Sequence, residues 1–486
     1  MAVLIGIAAT FGNALVTVNL SAVAGTNGID LVEASWLSSV YIAFNASGNL
    51  LLVRSRITFG IPAVTRTLLL LYATMALLEM FLPGFAMALI VRAVSGLTAT
   101  GLTTLTIYHL LQIFPAKLRP VGLCIGITLP QFGTPLARLV PVELLSASRW
   151  HGLQLVEIAV VLVVLAVTTA LPLPPSRRSQ IFEPLDFLTI GLALPGLVLL
   201  CGAVGAGRYA WWTDTPWVGA ALAAAVVLLG VAILIEHVRA RPLLQTRWLA
   251  SRDVLRLVVV ALLVRFALAE QTYGAIGLLG VGGLNNDQLH GLFVVIALAM
   301  AAGAVVAAVT LSASRLPYQV AAAAVFIAAG AWIDSGADNL TRPGELFLSQ
   351  ALLGFGACLF LGPSLLYGFI RVLQLGPAYL VSLIVVFSIS QNLGGLLGSA
   401  FLGTYQVIAA KSHAAALSEH LVVGDPQVAQ RIAGQGGAAL YQALQREASI
   451  LAFDDVFRLV AVIALAISAW VLVVIAVKRS AIGREA

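Results

Sequence analysis

Apolar runs long enough to cross a bilayer recur from one end of this chain to the other, and nothing else in it constrains the fold as strongly. A helix rises about 1.5 Å per residue, so about 20 mostly apolar residues span the hydrocarbon. With no water there, a spanning backbone satisfies its own donors and acceptors only as a helix or a closed barrel. Runs of helical length are read near 2–24, 33–53, 66–83, 85–110, 119–142, 151–173, 185–206, 217–238, 253–277, 288–312, 317–335, 345–371, 377–403 and 455–477. Charged residues make up 10% of the 486, where a globular chain carries about 25%. Mean hydropathy is +1.01. A soluble enzyme of two or three domains is excluded, and the pattern predicts an all-α polytopic membrane protein with 14 transmembrane helices. The first run carries a cleavage-like "AVAG", but it has no basic start and holds Asn13, Thr17 and Asn19, so it is read as a membrane helix.

Basic residues set the orientation. Sixteen fall in alternate loops and the C-terminal tail, among them Arg54, Arg56, Arg66, Lys117, Arg119, Arg177, Arg178, Arg239, Arg315 and Arg371; six fall in the opposite loops, Arg208 among them. The asymmetry predicts both termini in the cytoplasm, in a bacterial inner (plasma) membrane. The same excess explains the net charge of +6 without a nucleic-acid partner, because no basic patch is interleaved with aromatics. Cys124, Cys201 and Cys358 lie singly in three apolar runs and imply neither a disulfide nor a metal framework. The segment 404–454 is polar, with a Gly-Asp-Pro break, and reads as a long external loop with helical pieces on either side of the break.

A shift of about 259 residues aligns the two ends in order. "RSRITFGIPAVT" meets "SASRLPYQVAAA", and "VRAVSGLTATGL" meets "QALLGFGACLFL". The expected domains are a six-helix bundle over 1–176, two inserted helices with linkers over 177–250, and a second six-helix bundle over 251–486.

Charges inside the apolar runs are the candidate chemistry, since they are costly in lipid and face a bundle interior or a wet cavity. In "LLVRFALAEQTYGAIGLL", Arg265 and Glu270 stand five residues apart, about 140° around a helix, so each needs a partner elsewhere. Arg92, Arg138 and Glu157 lie at comparable outer-half depths on the fourth, fifth and sixth helices. These two arginines and the two glutamates are expected to face one another across a cavity, with Arg265 deeper and Glu270 exchanging a proton. The other reading is a set of static salt bridges between helices. Asn13, Thr17, Trp36, Tyr41, Asn45 and Gln271 are candidates for the cavity wall. "GITLPQFGTP" and "QNLGGLLGS" place small residues at close-packing spacing. Gly96, Pro130, Gly133, Pro135, Gly394, Gly395 and Gly398 are the candidate packing and gating positions, with the prolines bending the fifth helix. No lysine follows a glycine-rich loop, so nucleotide-driven pumping has no motif here. No cofactor, no metal site and no catalytic constellation is indicated.

With these residues in place the chain resembles the major facilitator superfamily, in particular its fourteen-helix drug:proton antiporter family. The resemblance runs end to end. It is carried by "ASWLSSVY" with Trp36 and Tyr41, "VRAVSGLTATG" with Arg92 and Gly96, "LPQFGTP" with Pro130 and Gly133, and most clearly by "QNLGGLLGSAFLGTYQ" with the long loop and "ASILAFDDVFRL" after it. There are departures. "FGNALVTVNL" lacks the family's first-helix aspartate, "GNLLLVRSRITFG" keeps Gly48, Arg54, Arg56 and Gly60 but has no Asp, and Arg138 stands where a small residue is expected. The resemblance implies a major facilitator fold of two six-helix bundles plus two inserted helices. It also implies proton-coupled efflux of amphipathic or aromatic organic compounds (drugs) by alternating access, with coupling moved to Glu270. Two alternatives stand beside it. The surplus of intramembrane arginine favours a transporter of one organic anion. A non-transporting scaffold would dock a partner, such as a periplasmic adaptor protein, through 404–454.

Overall fold

The computed structural model describes residues 1–171, 183–372, 375–422 and 424–485. Arg177 and Arg178, two of the loop charges counted above, lie outside them. The N-terminal half comprises α1 (Ala2–Val18), α2 (Leu20–Asn27), α3 (Leu31–Phe59), α4 (Ile61–Phe81), α5 (Phe85–Ile113), α6 (Arg119–Thr128), α7 (Gly133–Ala137) and α8 (Val142–Ala170). A helical pair follows, α9 (Pro184–Ala210) and α10 (Pro216–Val238), then the short α11 (Thr246–Leu249). The C-terminal half runs through α12 (Arg252–Ala267), α13 (Ala275–Val281), α14 (His290–Val309), α15 (Leu316–Asp334), α16 (Phe347–Val372), α17 (Pro377–Glu419), α18 (Pro426–Gln435) and α19 (Gly437–Glu485). Among the described residues, 10 helices are long and apolar enough to cross a membrane. This is a multi-pass, all-helical membrane protein.

The starts and breaks follow from the sequence. Asp30 and Glu33 open α3 with a reciprocal cap, each side chain accepting from the other's backbone N–H at 2.7 and 3.1 Å. Pro62, Pro184 and Pro216 sit in first turns, where no backbone N–H is needed. Three apolar paths are broken rather than continuous. Asn19 separates α1 from α2 and donates its amide back to the Leu15 carbonyl at 2.9 Å. Leu129–Phe132 is a 3₁₀ turn between α6 and α7, where Pro130 and Pro135 each remove a donor. Glu270–Gly274 is a π turn between α12 and α13. The runs expected as single helices over 119–142 and 253–277 are therefore each two helices around a distorted turn.

The segment 404–454 carries helix on either side of its Gly-Asp-Pro break, as the sequence suggests: α17 and α19 continue as helix through most of it, with the short α18 between them. At 43 and 49 residues these helices are about 65 and 74 Å long, twice the hydrocarbon thickness. An Ala- and Gln-rich stretch has no reason to stop being helical where the bilayer ends.

Each half has its own apolar core. Ile5, Leu69, Val91 and Leu105 pack together from α1, α4 and α5. Ile327, Phe360, Val456 and Val460 do so from α15, α16 and α19. The halves meet where α3 packs on α17, α6 on α16 and α7 on α14. The inserted pair is not peripheral throughout: α10 packs on α9, but α9 packs on both α3 and α17. A charge cluster anchors it, with Asp186 on α9 bound by Arg54 at 3.0 Å and by Arg239 at 2.8 Å. Buried ions of this kind hold only when paired, and Asp186 has two partners.

Candidate functional site

Between the halves lies a cavity of about 860 Å³. Its wall follows α3 from Ser35 to Ile57, about 33 Å of helix. Four arginines reach it: Arg56 from α3, Arg138 after α7, Arg208 from α9 and Arg265 from α12. Among the described residues no aspartate, glutamate, histidine or lysine lines it, and none of the four arginines is ion-paired. Hydroxyls and amides of Asn13, Thr17, Tyr41, Asn45, Thr100, Gln131, Gln391 and Asn392 fill much of the remaining wall, with Tyr108, Tyr209, Tyr273, Phe369 and Phe387 as its aromatic part.

Each arginine is held by neutral groups. Arg56 donates to the Thr100 carbonyl at 3.4 Å. Arg138 donates to Asn286 Oδ1 at 3.1 Å, receives the Asn286 amide on its own carbonyl at 3.0 Å, and stands 5.5 Å from the Phe293 ring centroid. It thereby bridges α7 to the turn before α14, across the halves. Arg208 lies over the rings of Tyr209 and Tyr273, at 4.3 and 4.7 Å. Arg265 packs on α17 at a place only glycines allow. A Cβ at Gly394 would sit 2.6 Å from the Leu262 carbonyl oxygen, and one at Gly395 would sit 3.2 Å from Arg265 Nε. Gly398 gives the same close approach to the Phe266 carbonyl, at 2.5 Å. The "QNLGGLLGS" motif thus seats the guanidinium at the cavity wall.

Arg92, Glu157 and Glu270 do not face the cavity with Arg138, contrary to expectation. Arg92 and Glu157 are 2.6 Å apart, 3% and 1% exposed, and form a pair inside the N-terminal half. Beside them, Tyr72 and Asn13 border a space of about 10 Å³, room for about one water. Glu270 is fully buried, and among the described residues it pairs with no arginine. The Gln350 amide nitrogen of α16 donates to Glu270 Oε1 at 3.1 Å and to Asp334 Oδ2 of α15 at 2.7 Å. These charges are buried, but helix rotation, which the spacing along the sequence does not give, chose their partners.

Among the other candidates, Asn13, Thr17, Tyr41 and Asn45 line the cavity. Trp36 does not. It packs against Gly202 of α9 and stacks on Trp217 of α10, 6.1 Å between centroids. Gln271 turns away too, donating to the Gln350 carbonyl at 3.2 Å. Gly96 lies against the α3 backbone at Tyr41, Gly133 against Thr10 of α1, and Pro135 is buried. Pro130 lines the cavity, and its carbonyl accepts the Thr10 hydroxyl. Asn45 joins the halves by accepting from Asn392 of α17 at 2.9 Å. Four residues went unremarked as site groups in the sequence. Arg56 and Arg208 looked like loop charges, Asp334 looked like a helix end, and Gln350 is uncharged. Among the described residues no group of histidine, cysteine and acidic side chains has metal-binding geometry.

No protein-family model and no curated protein matches the sequence. Solved structures do match in fold. A bacterial homologue of the human drug peptide transporters PepT1 and PepT2 aligns with TM-score 0.59 and 15% identity, over 99% of this chain and 98% of that one. The proton:xylose symporter XylE, of the major facilitator superfamily, aligns with TM-score 0.53 and 13% identity, over 95% and 93%. The human organic anion transporter MFSD10 aligns with TM-score 0.52 and 14% identity, over 95% and 97%. At these identities the likeness concerns fold, and the fold is of the major facilitator type.

Proposed function

We propose that this chain is a secondary active transporter whose cargo is an amphipathic organic anion, moved by alternating access of the two bundles around the central cavity. The observation that carries the reading is the wall itself: four guanidinium groups and no carboxylate. In a low-dielectric site, unpaired positive charge attracts an anion strongly, and a guanidinium offers a carboxylate, sulfonate or phosphate a bidentate grip. The aromatic and aliphatic remainder suits an apolar body, and the volume falls in the range of about 300–1,000 Å³ common to small-molecule sites. On this reading α3 and the three interrupted paths cross the membrane with the other 10, making fourteen crossings with both termini in the cytoplasm. A fold shared with proton-coupled carriers supports ion-driven transport.

Broad export of drug-like compounds is the second reading, favoured by the aromatic residues of the wall, Tyr108 and Tyr273 among them. Purified protein in proteoliposomes separates the two. The anion reading expects uptake of a labelled aryl carboxylate, blocked by other organic anions and lost in Arg265→Gln. Equal transport of lipophilic cations, only retuned by Arg265→Gln, would overturn it in favour of drug export.

A further inference from the structure

We propose that the cargo is an organic dianion, with an anionic group at each end of an apolar body, and that the inserted helix α9 supplies its second anchor, Arg208. The proposal rests on the anion reading above and names the class of anion. Arg265 of α12 is the first anchor. Both side chains are half-buried in the cavity wall.

Two helices measure the distance between the anchors. On α17, a Cβ at Gly395 would sit 3.2 Å from Arg265 Nε, and one at Gly403 would sit 2.6 Å from Arg208 Nη1. From Gly395 to Gly403 is about 12 Å of helix. On the opposite side Arg208 lies over the ring of Tyr273, and the path from Arg265 to Tyr273 through the π turn gives about the same length. Along both helices the wall between the anchors is Leu268, Ala269, Thr272, Ser399 and Ala400, without a charge. The other two arginines do not compete for this place. Arg138 is engaged, its guanidinium on Asn286 Oδ1 and its carbonyl on the Asn286 amide. Arg56 is too far: α9 meets α3 at Gly205 and Ser39, and from Ser39 to Arg56 is about 25 Å of α3.

The end of α9 is fixed so that Arg208 faces the cavity. Trp212 Nε1 donates to the Thr404 hydroxyl at 2.8 Å, and its ring stacks on Phe401 of α17, 5.6 Å between centroids. Trp211 has a φ of 55°, and this left-handed residue turns Trp212 back onto Gly207, next to Arg208. The guanidinium lies over Tyr209 and Tyr273, which take its flat faces, and one N–H goes to the Tyr209 hydroxyl. Among the described residues the Arg208 side chain makes no other hydrogen bond and the Arg265 side chain makes none, so the edges of both guanidinium groups are open to a ligand. Two unpaired cations in a low-dielectric wall are balanced only in part by a monoanion. A cargo with a second anionic end balances both. The inserted pair is then part of the binding site and not a spacer between bundles.

The test is equilibrium binding to the purified protein at neutral pH, read by displacement of a labelled aryl carboxylate. The probes are the linear α,ω-dicarboxylates from succinate to sebacate. Each is paired with its monomethyl ester, which keeps the length and loses one charge. At the long end of the series the diacid is expected to bind about tenfold or more tighter than its ester, the worth of one further charge-assisted contact. The advantage is expected to shrink toward succinate, whose carboxyl groups span the least. In Arg208→Gln the long diacid is expected to bind no better than its ester, and Arg208→Lys to restore part of the advantage. No advantage at any length in wild type overturns the proposal, as does one that is independent of length or survives intact in Arg208→Gln. Loss of all binding in Arg208→Gln, unrecovered in Arg208→Lys, marks a structural role for Arg208 and also overturns it. If the aryl carboxylate itself does not bind wild type, the anion reading falls and the proposal falls with it.

Discussion

In the N-terminal half, Arg92 meets Glu157 at 2.6 Å; in the C-terminal half, Glu270 and Asp334 share the Gln350 amide. Both clusters are buried, both lie behind the same cavity, and both join helices within one bundle. They differ in what neutralises them. An arginine offsets the charge of a glutamate, so the first cluster holds its own counter-charge and serves as a strut. An amide cancels no charge, so the two carboxyl groups of the second are held together by hydrogen bonds alone. The contrast is between a pair that carries its own counter-charge and two acids joined only through a neutral amide.

The largest effect should come from breaking the strut. Glu157→Leu leaves the Arg92 guanidinium buried without a counter-charge, at a cost of about 3–5 kcal/mol in thermal unfolding of the detergent-purified protein. Adding Arg92→Met should recover most of it, and a double variant as unstable as the single one would show that the pair is more than an ion pair. Next comes the cavity. Arg265→Gln should weaken binding of an aryl carboxylate by about 2 kcal/mol, roughly thirtyfold in Kd, measured by equilibrium binding, with stability little changed because no carboxylate loses its partner. Asn392→Ala removes the 2.9 Å bond to Asn45 and should shift the balance of access states by about 1 kcal/mol, a few-fold change in populations read by spin-label distances across α3 and α17. The smallest expected cost belongs to Glu270→Gln, under about 1 kcal/mol of stability, since an amide stands in for the protonated acid. A loss as large as that of Glu157→Leu would erase the distinction between the ion pair and the amide-bridged acids.

Much of this arrangement was legible in the chain. Arg265 and Glu270 announced themselves as charges in an apolar run, and the glycines of "QNLGGLLGS" announced a close helix contact. Asp334 did not, because a carboxylate in the last turn of an apolar run looks like an ordinary interfacial charge. Arg208 was misread in the same way, as a loop residue, although α9 carries it to the cavity wall. Trp36 erred in the other direction: an aromatic near a polar helix start suits a binding site, but Trp217 and Gly202 of the inserted pair claim it.

What the sequence alone determined is what depends on composition along a line: membrane residence, helical structure and the positions of most apolar runs. Hydropathy is a local property, and the bilayer converts it directly into spans. What only the tertiary structure decided is which charge meets which. Each residue turns the side chain by about 100° around the helix axis, so a contact depends on how two helices are rotated against each other. The packing of α12, α15 and α16 brings Glu270 to Asp334 and leaves Arg265 to the cavity.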